Sequence, residues 1–197
     1  YHGFEEANLS LLTLFDRHNA DAKKKLASGI ITRTTYLKYL CTRKYLFKFM
    51  RSELKKKDIL LLDITPTFVE QFYVYLTGMM SNNSAVQKMK LLKKILKVAQ
   101  EDGFIRAMPF RIKLSYDTLE YDTLTIDEIR MIRQKEFDNT RLAQVRDVFV
   151  FACYSGLAFT DLKNLTKHDL QTDEQGKEWI IKARHKTQIE NAPRDHT

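Results

Sequence analysis

Apolar residues recur at helical spacing through most of the chain, and the breaks between the apolar runs are short. Four runs precede residue 112, roughly Phe4 to Leu26, Arg33 to Lys55, Thr65 to Leu76 and Ala85 to Glu101. Within each run an apolar side chain returns every three or four positions, which is the period of a helix with one buried face. Only 6 Gly and 3 Pro interrupt the chain, and this scarcity favours long helices.

Residues suited to helix ends mark the boundaries of this first half. Thr65 precedes Pro66, so a threonine cap is followed by a proline at the first helical position. Gly103 can close the fourth helix in the left-handed conformation. The short apolar segment Asp58–Ile64 predicts a buried connector. These signals predict a four-helix domain over residues 1–112.

The pattern changes after residue 112. Residues 113–123 have mixed polarity and no clear period, which predicts a linker. Thr125 and Glu128 have the spacing of a capping box and predict a helix that runs to about Glu136. A further helix is expected from Asn139 or Thr140 to Tyr154, and its apolar residues Phe149 and Phe151 are expected to pack into the core.

Gly156 breaks that helix, and a short helix is expected from about Thr160 to Leu165. Gln175–Gly176 predicts a turn, and Glu178–Arg184 predicts a strand because apolar and β-branched residues are concentrated there. Residues 124–197 therefore form a second domain that is helical and begins a small sheet. The fold class is mainly α.

The charge of the chain bears on its partner. Lys plus Arg is 33 against 25 acids, which gives a formal net charge of +8 and a pI near 9.4. A basic excess of this size favours a polyanionic partner, and nucleic acid is the commonest one. Cys41 and Cys153 lie in apolar helical contexts, so we expect two buried, reduced thiols and no metal site. No secretory signal or apolar span is recognisable, so we expect a cytoplasmic protein without a membrane partner.

The fourth helix carries the densest basic pattern. Its lysines alternate with apolar residues, so that Leu92, Ile95, Leu96 and Ala99 share one face and the lysines another. The lysines are Lys88, Lys90, Lys93, Lys94 and Lys97. A solvated amphipathic helix explains this pattern, and so does a face that lies along DNA phosphates. The second helix adds further basic residues, among them Arg43 and Lys44, and two basic helices in one bundle favour DNA.

A candidate catalytic box follows the apolar helix that ends at Gly156. The run Ser155-Gly156-Leu157-Ala158, with Asp161 three residues later, resembles the first catalytic box of tyrosine recombinases, the phage-type integrases. That box reads Thr-Gly-Leu-Arg followed by an acid. Ala158 stands where the family has its arginine, and a methyl group cannot donate a hydrogen bond to a phosphate.

The resemblance extends over nearly the whole chain. The matching pieces are Thr35-Tyr36, Asp58-Ile59, the helix from Ile64-Thr65 to Leu76, Asn83 to Ala99, Gly103 to Phe110 and Thr123 to Thr125. They are most similar to integrases of conjugative transposons. The resemblance implies a four-helix, SAM-like core-binding domain followed by the start of an α+β catalytic domain. It also implies double-stranded DNA as partner, a homo-oligomer of the full-length enzyme on that DNA, and strand exchange through a 3′-phosphotyrosine.

The resemblance further implies three catalytic candidates. Lys186, in Arg184-His185-Lys186-Thr187 at the end of the expected strand, matches the hairpin lysine that protonates the leaving 5′ oxygen; it can also be an ordinary hairpin lysine. Asp161 matches the acid that holds basic side chains of the site, and it also suits a helix N-terminus. Arg146 is the best-placed substitute for the missing arginine, or else a helix arginine paired with Asp147.

The family's second box, His-x-x-Arg, and its nucleophilic tyrosine are not recognisable after Lys186. We therefore expect this chain to bind DNA without cleaving it. The alternatives are a non-catalytic DNA-binding regulator on a recombinase scaffold and a helical protein–protein scaffold with incidental charge. Tyrosine recombinases need neither ATP nor metal, so the resemblance implies no cofactor, and no small-molecule substrate is expected.

Overall fold

The computed structural model describes residues 9–182. These residues form two compact units, which divide between Leu119 and Glu120. The described part of the chain contains seven α-helices and one two-stranded antiparallel sheet, which confirms the expected mainly helical class. No helix in that part is both long enough and apolar enough to cross a bilayer.

The first unit is built from four helices, as the sequence predicts. They are α1 (Leu11–Ala27), α2 (Arg33–Ser52), α3 (Pro66–Thr77) and α4 (Asn82–Glu101). The expected start of α1 at Phe4 lies outside the described residues, but Leu9 and Ser10 are not helical. Ser10 instead caps α1 by accepting from the Thr13 amide, and it forms an isolated antiparallel bridge with Leu60.

An aromatic cluster joins α2 to α3 at the centre of the first unit. The ring of Phe49 lies 5.5 Å from that of Phe68, 5.3 Å from that of Phe72 and 5.4 Å from that of Tyr75. Phe49 and Phe72 are fully buried. Truncation of a buried phenylalanine to alanine costs about 3–5 kcal/mol, so this cluster is a main source of the unit's stability.

The expected buried connector is buried on one side only. Ile59, Leu61 and Ile64 lie in the core, whereas Leu60 and Leu62 are exposed. The Leu61 amide donates to the Leu9 carbonyl, and the Leu11 amide to the Ile59 carbonyl, each at 2.9 Å. These backbone bonds tie the connector to the start of α1.

The chain leaves α4 through Gly103, whose φ of +82° confirms the expected left-handed helix end. Ile105 then enters the core, and Phe110, Ile112 and Leu114 are partly buried against it. The chain thus remains packed on the first unit into the segment that the sequence suggests as a linker.

The second unit contains three helices and a short hairpin. They are α5 (Ile126–Gln134), α6 (Thr140–Ser155), α7 (Phe159–Lys163), β1 (Leu170–Thr172) and β2 (Glu178–Ile180). The predicted capping box is present, since the Thr125 amide donates to Glu128 Oε2 at 2.7 Å. Gln171 of β1 pairs with Trp179 of β2. The predicted end of that strand, at Arg184, lies outside the described residues.

The hydrophobic residues of α6 are largely exposed. Val150 is buried, but Phe149 and Phe151 are 43% and 39% exposed, so their expected burial in a core is wrong. Cys153 is also exposed, which corrects its expected burial, while Cys41 is partly buried; both are free thiols. The reason is that α6 packs mainly against α5, so one neighbouring helix covers one side of it.

Candidate nucleic-acid interface and catalytic box

Helix α4 separates its apolar and basic residues as the sequence predicts. The face formed by Leu92, Ile95, Leu96 and Ala99 is buried in the first unit. Lysines emerge from the remaining surface of the helix: Lys90, Lys93, Lys94 and Lys97 are exposed and Lys88 is partly buried. Burial of one face by the core therefore fixes the direction in which the lysines point.

Four of these lysines lie over aromatic rings. The distances from Nζ to the ring centroid are 5.2 Å for Lys88 over Tyr45, 4.1 Å for Lys90 over Tyr116, 5.7 Å for Lys93 over Phe110 and 5.7 Å for Lys94 over Tyr39. Each such contact at an exposed site is worth about 0.5–1 kcal/mol. We call α4 with these four rings the lysine face.

The rings come from both sides of α4. Tyr39 and Tyr45 belong to α2, whereas Phe110 and Tyr116 belong to the segment that follows α4. The lysine stems are thus held in place by two different neighbours. Because each ammonium group already lies over a ring, the lysine side chain loses less entropy when it meets an anion.

A hydrogen-bonded clasp holds the segment after α4 in position. Asn83 Oδ1 accepts from the Asp117 amide at 2.7 Å, and Asn83 Nδ2 donates to the Asp117 carbonyl at 3.1 Å. Asn82 Nδ2 donates to Asp117 Oδ1 at 2.7 Å and to the Ser115 carbonyl at 3.1 Å. Tyr73 donates its hydroxyl proton to Asn82 Oδ1. The clasp places Tyr116 beside the first turns of α4.

The remaining basic candidates differ in what they contact. Arg43 donates through Nε and Nη2 to the two carboxylate oxygens of Asp16, both at 2.8 Å. That hydrogen bonding raises the pKa of Arg43 and commits much of its guanidinium to the fold. Lys44 is exposed beside it, and Lys97 forms an exposed pair with Glu101 at 3.4 Å, which contributes little.

The sequence identifies the lysines but not their aromatic partners. Tyr116 lies in a stretch without periodicity, and no local pattern in the sequence pairs Tyr39 or Tyr45 with a lysine of α4. The one available signal is the concentration of aromatic residues on both sides of a lysine-rich helix. The fourth helix is expected to begin at Ala85, yet Asn82 and Asn83 are already part of α4, and Ser81 is its N-cap residue.

The catalytic box adopts the helix–turn–helix arrangement that its sequence predicts. Gly156 ends α6 with φ of +65°, a conformation that suits glycine, and Ala158 is the N-cap residue of α7. Ala158 is exposed, whereas Asp161 in the first turn of α7 is buried. An acid at this position suits the positive end of the helix dipole.

The side chain of Arg146 has partners near its own position on α6. Its Nη2 lies 2.8 Å from Asp147 Oδ1, it donates to the Lys135 carbonyl, and its guanidinium lies 5.9 Å from the ring centroid of Phe137. These contacts describe a helix arginine paired with Asp147. A substitute role for the arginine missing at Ala158 stays a prediction, as does the role of Asp161.

The predicted hairpin lysine, Lys186, lies outside the described residues. The neighbouring Lys182 is within them, and its Nζ donates to Asp169 Oδ2 at 2.8 Å and to the Asn164 carbonyl at 2.7 Å. The bond from Lys182, together with those from the Thr166 amide and hydroxyl, lowers the pKa of Asp169 to about 2. Residues 9–182 hold no group of three or more side chains suited to a metal ion.

Comparison with known proteins assigns the family. Residues 10–117 match the family described as Phage integrase SAM-like domain, and the chain belongs to that family. This agrees with the resemblance to tyrosine recombinases and with the four helices of the first unit. No curated protein matches the chain.

Among solved structures, the chain is similar to one described as "Crystal structure of a lambda integrase(75-356) dimer bound to a COC' core site". The TM-score is 0.63 and the sequence identity is 19%. The match covers 88% of this chain and 62% of that one, so this chain spans less than two thirds of the integrase fragment. At this identity the likeness establishes the fold.

Proposed function

We propose that this chain binds double-stranded DNA through the lysine face. The observation that carries the proposal is the row of α4 lysines, four of which lie over an aromatic ring from a neighbouring segment. A solvated amphipathic helix requires no such support. Exposed ammonium groups along one helix can each neutralise a phosphate of a duplex.

The contacts also rank the predicted DNA-binding residues. Lys90, Lys93 and Lys94 are exposed, and each ammonium group lies over an aromatic ring, so they are the principal phosphate contacts. Lys88 is partly buried, and Lys97 is held only by its exposed pair with Glu101. Lys44 extends the face onto α2. Arg43 is the weakest candidate because its guanidinium is bound to Asp16.

The family and the resemblance support a wider function. We propose that the chain is part of a site-specific tyrosine recombinase that integrates or excises a mobile element, as integrases of conjugative transposons do. The enzyme would cut and rejoin DNA through a 3′-phosphotyrosine and act as a homo-oligomer on its recombination site. The solved structure similar to this chain is described as a lambda integrase dimer bound to a core site, which supports DNA as the partner.

In that enzyme Lys186 would be the general acid for the leaving 5′ oxygen. Asp161 would hold basic side chains of the site in place. Arg146 would replace the arginine missing at Ala158, provided that it can leave Asp147 and the Lys135 carbonyl. Replacing Arg146 with Ala in the full-length enzyme tests this role, and DNA cleavage at an unchanged rate rejects it.

A non-catalytic DNA-binding regulator is the second candidate, and Ala158 favours it. Loss of one donor to a developing oxyanion costs about 10²–10³ in rate, and Ala158 offers only a methyl group. A nicked suicide substrate separates the two candidates when it is incubated with the full-length protein. A covalent protein–DNA adduct identifies the enzyme, and binding without an adduct identifies the regulator.

The binding proposal itself is tested with the chain and a fluorescent duplex of arbitrary sequence. Fluorescence anisotropy at several salt concentrations gives the slope of log K against log salt, which is about −0.9 per neutralised phosphate. We expect a slope of about −3 or steeper, from at least three lysines. Absence of binding at low salt rejects the proposal and favours a protein–protein scaffold.

A further inference from the structure

A second basic feature lies beside the lysine face and is not explained by it. A cleft of about 410 Å³ opens between α1, the turn that follows it, α2 and α4. Its volume is within the range of small-ligand sites. The charged or aromatic residues that line it include Arg17, His18, Lys25, Tyr39 and Lys94. We call it the His18 cleft.

Lys94 joins the cleft to the lysine face. Its ammonium lies over the ring of Tyr39, and both residues line the cleft. A phosphate bound by Lys94 would therefore lie beside the cleft. The sequence pattern did not indicate this extension, because Arg17 and Lys25 lie on α1 and only the tertiary fold brings them beside α4.

Positive charges outnumber negative charges around the cleft. Arg17, Lys25 and Lys94 are cationic, and none of them has an ion pair within the part of the chain that the structure describes. Asp21 and Asp102 are the carboxylates of the lining. Asp21 is paired with Lys24 at 3.3 Å, and Asp102 is the exposed C-cap residue of α4. The cleft is therefore suited to one anionic group.

His18 forms part of the wall and has an available ring nitrogen. Its ring meets that of Tyr39 edge to face at 4.7 Å. Its Nδ1 lies 3.4 Å from Asn19 Oδ1, so a proton on Nδ1 is donated there. Within the described residues Nε2 has no hydrogen-bond partner, and it is the atom that gains a proton when the ring becomes cationic.

We propose that the His18 cleft binds a phosphate group of the DNA backbone, held by Arg17, Lys25 and Lys94 and by a proton on His18 Nε2. This inference rests on the proposed DNA binding by the lysine face. It adds α1 to the interface and makes one contact dependent on pH. The phosphodiester supplies the single negative charge that the cleft lacks.

The electrostatics of the free protein agree with this assignment. Burial, followed by repulsion from Lys94 and Lys25, lowers the pKa of His18 from its ordinary value, while the Asn19 bond and Asp21 oppose the shift. Arg17, Tyr39 and the carboxylate of Asp102 complete the charged and titratable groups that line the cleft with it. A bound phosphate offsets this repulsion and raises the pKa of His18. At a pH between the His18 pKa of the free protein and that of the DNA complex, DNA binding therefore takes up a proton.

The direct test is an NMR titration of His18 in the full chain. The chain has 5 His, and His18→Gln assigns the resonance. The ring is titrated in the free protein, with saturating duplex, and with inorganic phosphate at the concentration of DNA phosphate. We expect the His18 pKa to rise with duplex and to stay unchanged with inorganic phosphate. An unchanged pKa with duplex overturns the proposal, and so does a rise with inorganic phosphate alone, which would indicate a free-anion site.

Variants give an independent measurement. Arg17→Gln with Lys25→Gln should reduce the salt slope of duplex binding by about one, the amount expected for one lost phosphate contact. Lys23→Gln removes the same kind of charge from the same helix outside the cleft, so it should retain the slope. In the wild type the affinity should rise from about pH 7.5 to about pH 5.5, and His18→Gln should remove most of that rise.

The two proposals fail in different ways. If duplex binding depends on Lys90 and Lys93 but His18 does not respond, DNA binding stands and the His18 cleft is rejected. If no duplex binds at low salt, the proposed function fails together with the inference. Equal slopes for the double variant and Lys23→Gln also reject the cleft as a phosphate site.

Discussion

Lys90 Nζ lies 4.1 Å above the ring centroid of Tyr116, so α4 is joined to the segment that leaves the first unit by a contact between a cation and an aromatic face. Tyr116 lies between Ser115 and Asp117, whose backbones are bound by Asn82 and Asn83. The hydrogen bonds of Asn82 and Asn83 that fix the path of the chain thus also position the ring that Lys90 contacts.

Tyr116→Leu should weaken duplex binding while leaving its salt slope unchanged. The lysine keeps its charge and still meets a phosphate, but it loses a contact worth about 0.5–1 kcal/mol, which corresponds to about a two- to fivefold loss of affinity. Tyr121→Leu is the matched control, since Tyr121 is 75% exposed and has no ring contact in the described part of the chain. Equal affinities of the two variants would show that the ring does not support Lys90.

Asn83→Ala should release residues 115–117 from α4. It removes two hydrogen bonds to the backbone of Asp117, each worth about 0.5–1.5 kcal/mol. Hydrogen exchange of the Asp117 amide should become faster, because that amide loses its acceptor. Ser115→Ala is the control, since Ser115 contributes its carbonyl to the clasp; it should leave the exchange rate as it is in the wild type.

Arg43→Gln should mainly affect stability, whereas Lys44→Gln should mainly affect DNA binding. Arg43 is paired with Asp16, and both side chains are partly exposed, so its loss should lower stability by about 0.5–1 kcal/mol and change the salt slope little. Lys44 is exposed, so its loss should reduce DNA affinity and leave stability unchanged. Chemical denaturation and anisotropy measure the two effects. A larger loss of slope for Arg43→Gln would reverse this assignment.

The hairpin of the second unit should lose stability in acid as Asp169 becomes protonated. The pKa of Asp169 is lowered to about 2, chiefly by the bond from Lys182. A carboxylate with a lowered pKa adds stability that is complete above its unfolded pKa, near 3.8, and is lost as the pH falls toward about 2. The single tryptophan, Trp179 of β2, reports on this transition by fluorescence.

Asp169→Asn is the corresponding variant. It should remove most of the fluorescence change between about pH 4 and pH 2, because the group that titrates is gone. The bond from Trp179 Nε1 to Asp173 Oδ2 at 2.7 Å remains in this variant, and Asp173 also has a lowered pKa. An identical acid transition in the two proteins would assign the effect to Asp173.

The fold was largely predictable because its signals are local. Thr65 before Pro66, the capping box at Thr125 and the glycines at 103 and 156 each determine a helix end by backbone chemistry alone. The start of α1 was not predicted: Ser10 is a local N-cap, but the bridge that holds it against Leu60 joins residues fifty positions apart in the sequence. Pairing over such a distance leaves no periodic pattern.

The candidate site was predictable only in part, for the same reason. The lysines of α4 follow from helical spacing, but their aromatic partners come from other segments and depend on the tertiary fold. The expected burial of Phe149 failed because apolar character was taken to imply a covered position. Within the described residues α6 packs mainly against one helix, so much of its surface is exposed. The composition of the sequence does not show how many neighbours a helix has.

The salt dependence of DNA binding by Lys90→Gln with Lys93→Gln tests the central claim most directly. The matched control is Lys56→Gln with Lys57→Gln, which removes equal charge beyond α2, where neither lysine has a ring contact in the described residues. If DNA binds the lysine face, the slope of log K against log salt should become shallower in the first variant by the amount expected for about two phosphate contacts. The control should keep the wild-type slope. Equal slopes in the two variants would show that binding follows net charge alone and would contradict the account.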